Sequence, residues 1–132
     1  MNKNFKKSLV YFFIGVCCTY SVSAYELQCP LPKHLKPEYE RDSSAIYTGT
    51  LIGKGDLPIK SIHKAPHGTE LYKRASTHIT EDGGLECSYE ASNMFHPSQR
   101  YLVQLTSHDP SILHKCTSAT IHMPSDAFTC KE

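Results

Sequence analysis

Six cysteines and eight histidines are the residues of this 132-residue chain best equipped for chemistry. Cys17 and Cys18 end an N-terminal apolar run, leaving Cys29, Cys87, Cys116 and Cys130 downstream. The separations between these four, 58, 29 and 14 residues, contain no closely spaced C-x-x-C pair and match no zinc signature. An even count in a small exported chain reads instead as two disulfides. Cys29 with Cys87 and Cys116 with Cys130 is the preferred pairing. Cys87 falls on the apolar face of its segment, where a lead-in strand can cross to it, and the last pair can close a local hairpin. The other two connectivities stay open.

The histidines are His34, His63, His67, His78, His96, His108, His114 and His122. Residues 63–67 (HKAPH) place His63 and His67 at i, i+4 spacing, yet Pro66 interrupts the segment and the local pattern is a loop. No carboxylate or second histidine pair stands at ligand spacing, so the expectation is no metal and no cofactor, with His63 and His67 as the metal candidates. A different use needs no convergence. Between about pH 7.5 and about pH 5 exposed imidazoles protonate, which would swing the exported chain from about −2 to about +6.

Nucleophilic catalysis finds no G-x-S-x-G elbow, and no thiol is spare once four cysteines pair. Residues 49–55 (GTLIGKG) have three residues between their first glycines where a phosphate loop needs four, and they read as strand into turn. Small secreted ribonucleases use His, Glu and Arg on an antiparallel sheet. Glu86, Glu90 and Arg100 with one nearby histidine form the set that chemistry would need: an acid, a base and a cation around one phosphate. The same residue types line the solvent face of any half-buried sheet, so no catalytic residue is assigned.

What must position these residues is a small exported domain. Lys3, Lys6 and Lys7 precede an apolar run from Leu9 to Cys18, and residues 21–24 (SVSA) supply small residues for a cleavage after Ala24. About ten apolar residues are too few for a bilayer that needs about 20. A lipidated cysteine fits badly, because Val16 stands where a small residue is required. The expectation is a signal peptide over 1–24, a single secreted β domain over 25–132, a periplasmic or secreted location and no transmembrane segment after cleavage. Removal of three lysines and no acid leaves 11 basic against 13 acidic residues. That near-balance, with no run of like charge, excludes a dedicated nucleic-acid binder.

Within the mature chain Pro30, Pro32 and Pro37 mark an extended lead-in. Residues 45–52 (AIYTGTLI) are rich in β-branched and aromatic types, and Gly53, Gly55 and Pro58 end that strand before a short one over 59–63. Residues 71–80 look extended, and residues 81–84 (EDGG) form a hairpin turn. The clearest alternation is residues 85–91 (LECSYEA), which puts Leu85, Cys87, Tyr89 and Ala91 on one face and Glu86, Ser88 and Glu90 on the other. Residues 92–97 read as a loop, and 100–106, 119–123 and 127–130 as further strands, the last two separated by a turn over 124–126. Residues 111–115 have room for one helical turn. Six or seven short strands of this kind predict an all-β fold, a small antiparallel sandwich or open barrel.

Without tryptophan, and with only Phe95 and Phe128 after cleavage, such a domain needs its disulfides. Loop-closure entropy assigns about 4 kcal/mol to a 59-residue loop from Cys29 to Cys87 and about 3 to the 15 residues from Cys116 to Cys130. Tyr89 belongs to the core by its face, whereas Tyr72 and Tyr101 fit either side.

The start Cys29-Pro30, the strand carrying Cys87 and Tyr89, and the terminal Cys116 and Cys130 resemble small exported bacterial β-rich proteins with a Cys-Pro opening and a Cys-x-Tyr strand. Those proteins have no known function, and the resemblance implies a β-rich secreted domain and no active site. The leading functional expectation is a binding or interaction module for a protein or glycan. A small secreted hydrolase of ribonuclease type and a periplasmic metal-binding protein are the alternatives.

Overall fold

The computed structural model describes residues 23–118 and 127–132. The expected leader lies outside these apart from Ser23 and Ala24, and so do the strand expected over 119–123 and the turn over 124–126. The described chain is all-β: β1 (Ala24–Gln28), β2 (Lys36–Tyr39), β3 (Ala45–Gly53), β4 (Leu57–Ser61), β5 (Thr69–Ile79), β6 (Leu85–Asn93), β7 (His96–Ser107), β8 (Cys116–Ser118) and β9 (Ala127–Lys131). All pairings are antiparallel, in the order β5-β6-β7-β4-β3-β1-β9-β8, with β2 lying on β3 beside β1. The edge strands β5 and β8 approach each other, so the sheet curls into a nearly closed barrel. Residues 111–115 make turns rather than a helix.

Two proline-rich stretches behave differently from their sequence expectation. The lead-in holds two strands, β1 and β2, and Pro37 is tolerated opposite Tyr47 because among the described residues no strand flanks β2 on its far side. Pro58 lies inside β4, opposite Thr50, rather than ahead of it. It is harmless there because β7 joins β4 only at Lys60 and Ser61, so Pro58 has no ladder with β7 to break. The expected loop over 92–97 shrinks to a tight turn, since β6 runs to Asn93 and β7 begins at His96.

The β6 alternation behaves as expected: Leu85, Cys87, Tyr89 and Ala91 are fully buried and face the barrel interior with Leu27, Leu51, Ile59, Leu105 and Phe128. The turn expected at 81–84 joins β5 to β6, with Gly83 at φ +83°, a conformation a Cβ would oppose. Both disulfides form in the preferred pairing. Cys116 and Cys130 are direct cross-strand partners on β8 and β9.

The bond between Cys29 and Cys87 crosses the interior and is one of three attachments at a single joint. The Tyr89 hydroxyl donates to the Pro30 carbonyl at 2.7 Å, and the Arg74 guanidinium donates to the Cys29 carbonyl at 3.2 Å. Cys87 and Tyr89 are two apart on one strand, so both point inward and meet two successive residues of the lead-in. The chain between β1 and β2 is thereby pulled off the sheet and into the barrel.

Candidate functional site

One end of the barrel carries a hollow of about 440 Å³ whose walls include Tyr39, Tyr47, His67, Glu70 and Met94. Its position follows from hydrogen bonds between turns. The buried Asn93 ends β6 and uses both ends of its amide, donating to the His67 carbonyl at 2.8 Å and accepting from the Phe95 backbone N–H at 2.9 Å. Met94 N–H donates to the Gly68 carbonyl at 2.9 Å, so the β6–β7 turn is tied to the loop that enters β5. Thr69 Oγ1 donates to the Pro66 carbonyl at 2.7 Å and also meets the Tyr101 hydroxyl. On the other wall Asp42 accepts from both the backbone and hydroxyl of Ser44, which sets the entry to β3.

The end of β2 and the β6–β7 turn hold apolar side chains out in water. Tyr39 is 72% exposed, Met94 58% and Phe95 57%. Phe95, one of only two phenylalanines left after the expected cleavage and read from sequence as part of a loop, has its ring 5.0 Å from that of His67 on the wall of the hollow. Tyr47 is deeper. Burial, then the neighbouring Tyr39, Tyr101 and Glu70, pushes its phenol above the ordinary value, so it stays a neutral donor and bonds the Thr69 carbonyl at 3.3 Å. Among the described residues Glu70 is the one acidic residue lining the hollow. An apolar rim over hydroxyls and one carboxylate can hold a ligand by contact area and direct it by hydrogen bonds.

The residues nominated from sequence are distributed differently. His67 lines this hollow, whereas His63 lines a separate shallow one beside Tyr101 and Leu102. Among the described residues no three His, Cys, Asp or Glu side chains are grouped to hold a metal. Glu86, Glu90 and Arg100 share the outer face of β6 and β7 without converging. Glu90 pairs with Lys73 at 3.1 Å, Glu86 accepts from Gln104 at 3.4 Å, and Arg100 lies opposite Ser92 with its guanidinium over the Tyr72 ring. Six residues along β6 separate Glu86 from the Arg100 register, about 20 Å at the rise of a strand. The cross-strand neighbours of Glu86 are His78 and Thr106, so the nearby histidine of that set is met beside Glu86, while the guanidinium is not.

Sequence reasoning also missed an imidazole–carboxylate pair. His108 Nδ1 lies 2.7 Å from Asp82, both about half exposed, where the β5–β6 turn meets the end of β7. The pairing of Leu85 with Ser107 brings them together, a register no local pattern announces. No protein family, curated protein or solved structure matches the chain.

Three exposed aspartates organise turns and carry a pH signature. Hydrogen bonds hold each carboxyl below the ordinary 3.8: Ser44 for Asp42, Thr80 first and then Gly84 and His108 for Asp82, and Ser111 for Asp109. A depressed folded-state value gives stability that is present above 3.8 and lost as pH falls through the folded value. The variant Asp42→Asn, Asp82→Asn, Asp109→Asn is expected to be less stable than the parent at pH 7 and to lose less on acidification. Urea denaturation from about pH 6 to about pH 2 reads the two slopes. Parallel acid limbs would show that the three turns contribute nothing.

Proposed function

We propose that this protein is an exported, disulfide-stabilised binding module that takes a partner protein or glycan at the barrel mouth. One observation carries the reading: Tyr39 at the end of β2 and Met94 on the β6–β7 turn line one hollow and stand exposed, and the exposed Phe95 packs beside His67 of its wall on a turn hydrogen-bonded to the loop before β5. Exposed apolar side chains grouped in this way mark interaction sites, and Tyr offers large contact area at low entropic cost. Fixing the turns in advance lowers the ordering cost of binding. Two disulfides suit an oxidising compartment.

The test is retention. Oxidised protein on a solid support is exposed to an extract of its surroundings, one half treated with protease and the other with glycosidases. A ligand should be retained, and Tyr39→Ser, Met94→Ser, Phe95→Ser should lower retention about tenfold or more, as expected when a central apolar cluster is lost. Loss after protease treatment assigns a protein ligand and loss after glycosidases a glycan. Undiminished retention by the folded triple variant refutes the mouth as the site.

A further inference from the structure

The interior joint leaves a gap in the outer sheet. β1 pairs with β3 as far as Gln28 opposite Ile52, and β2 resumes at Lys36 opposite Thr48. Between these, Cys29 and Pro30 turn inward to Cys87 and Tyr89, a short 3-10 turn over Pro32–His34 leads back out, and among the described residues no strand pairs with residues 49–51 on that side. Gly49 permits the tight packing of this detour: a Cβ there would lie 2.5 Å from Leu35 Cδ2 and 3.4 Å from Pro30 Cγ. The resulting notch is a hollow of about 430 Å³ lined by His34, Lys36, Thr48 and Thr50, with Pro30, Ile52 and Pro58 as apolar walls.

The polar chemistry of the notch is all of one kind. Among the described residues no Asp or Glu lines it, and Lys60 stands on the far side of Thr48, adding a second ammonium to the same face. Glu38 lies two residues along β2 from Lys36, opposite Ile46 and outside the lining. Among the described residues Lys36 makes no salt bridge, and the side chains of His34, Thr48 and Thr50 make no hydrogen bond. Ammonium, imidazole and hydroxyl groups are what bind a phosphate or sulfate oxygen. The volume is that of a small-molecule pocket rather than a bare-ion site, and apolar walls suit the body that carries the anion.

We infer that the notch between β1 and β2 binds a phosphorylated or sulfated sugar unit. Lys36 Nζ and the Thr48 and Thr50 hydroxyls take the oxyanion, while Pro30, Ile52 and Pro58 pack on the ring. The site is separate from the barrel mouth and does not depend on what docks there.

Titration of the full oxidised domain, followed by backbone amide shifts, tests this with glucose 6-phosphate, glucose 6-sulfate, inorganic phosphate and glucose. The two sugar anions should bind more tightly than inorganic phosphate, and glucose should not bind. Shifts should centre on residues 34–36 and 48–52 and weaken with salt. Lys36→Gln should lower affinity about tenfold, Lys36→Arg should largely keep it, Thr50→Val should lower it further, and Tyr39→Ser at the mouth should leave it unchanged. A sulfated polysaccharide that competes with glucose 6-sulfate identifies a polymer-borne source, and absence of competition identifies the free sugar. Glucose binding as well as its phosphate, shifts centred elsewhere, or an unchanged Lys36→Gln affinity would overturn the assignment.

Discussion

Replacing Cys29 and Cys87 together by alanine is expected to cost about 4 kcal/mol, against about 3 for Cys116 with Cys130. The difference in loop length is only part of the reason for that order. The first bond sits beside the Tyr89 hydroxyl on the Pro30 carbonyl and the Arg74 guanidinium on the Cys29 carbonyl, so its loss frees the inward detour that those bonds also hold. The second joins residues already opposed in a ladder. Urea denaturation of the two double variants should therefore give the lower midpoint for the interior pair. Tyr89→Phe keeps the ring and removes only the hydroxyl, leaving a buried carbonyl without that donor, and should cost about 1–3 kcal/mol. A lower midpoint for the Cys116 and Cys130 variant would show that the detour is held mainly by its other packing.

Gly53→Ala is expected to be the most damaging single change at a glycine. Gly53 ends β3 at φ +144°, and a Cβ there would lie 2.3 Å from the backbone oxygen of Glu26. Backbone cannot step aside as a flexible side chain can. Glu26 belongs to β1, which β9 holds on its other edge through five pairs. The strain therefore falls on the seam between β1 and β3, and about 2–4 kcal/mol is expected from backbone conformation and overpacking together. For a domain of this size that lowers Tm by about 10 °C or more. Gly55→Ala, two residues on at φ +79° with nothing within 4 Å, carries the conformational penalty alone and should cost about 1 kcal/mol. Equal losses from the two variants would show that β1 yields at no cost.

Much of the architecture was legible along the chain because it depends on neighbours two residues apart. The period-two pattern of residues 85–91 is enough to bury Cys87 and Tyr89 on one face, and the glycines at 83 and 84 are enough to turn the chain. An even set of widely spaced cysteines implied two disulfides, and the preferred partners are the bonded ones. The extended lead-in was recognised as extended, but not as two strands, since a strand exists only where a partner pairs with it.

Everything that makes a site was decided by register and closure, which are relations between distant residues. Glu86, Glu90 and Arg100 are compatible in type with one active centre, but the pairing of Ser92 with Arg100 carries the guanidinium far along the sheet from Glu86. Asp82 and His108 meet only because Leu85 is opposite Ser107. Phe95 and Phe128 are the same residue type, yet Phe128 is buried and Phe95 exposed, because Asn93 fixes the β6–β7 turn at the mouth. By itself the sequence determined that strands form, which faces are apolar and that the cysteines pair. The tertiary structure alone decided where the chain leaves the sheet to reach Cys87, and so where the notch and the mouth lie, because side-chain alternation is local and strand pairing is not.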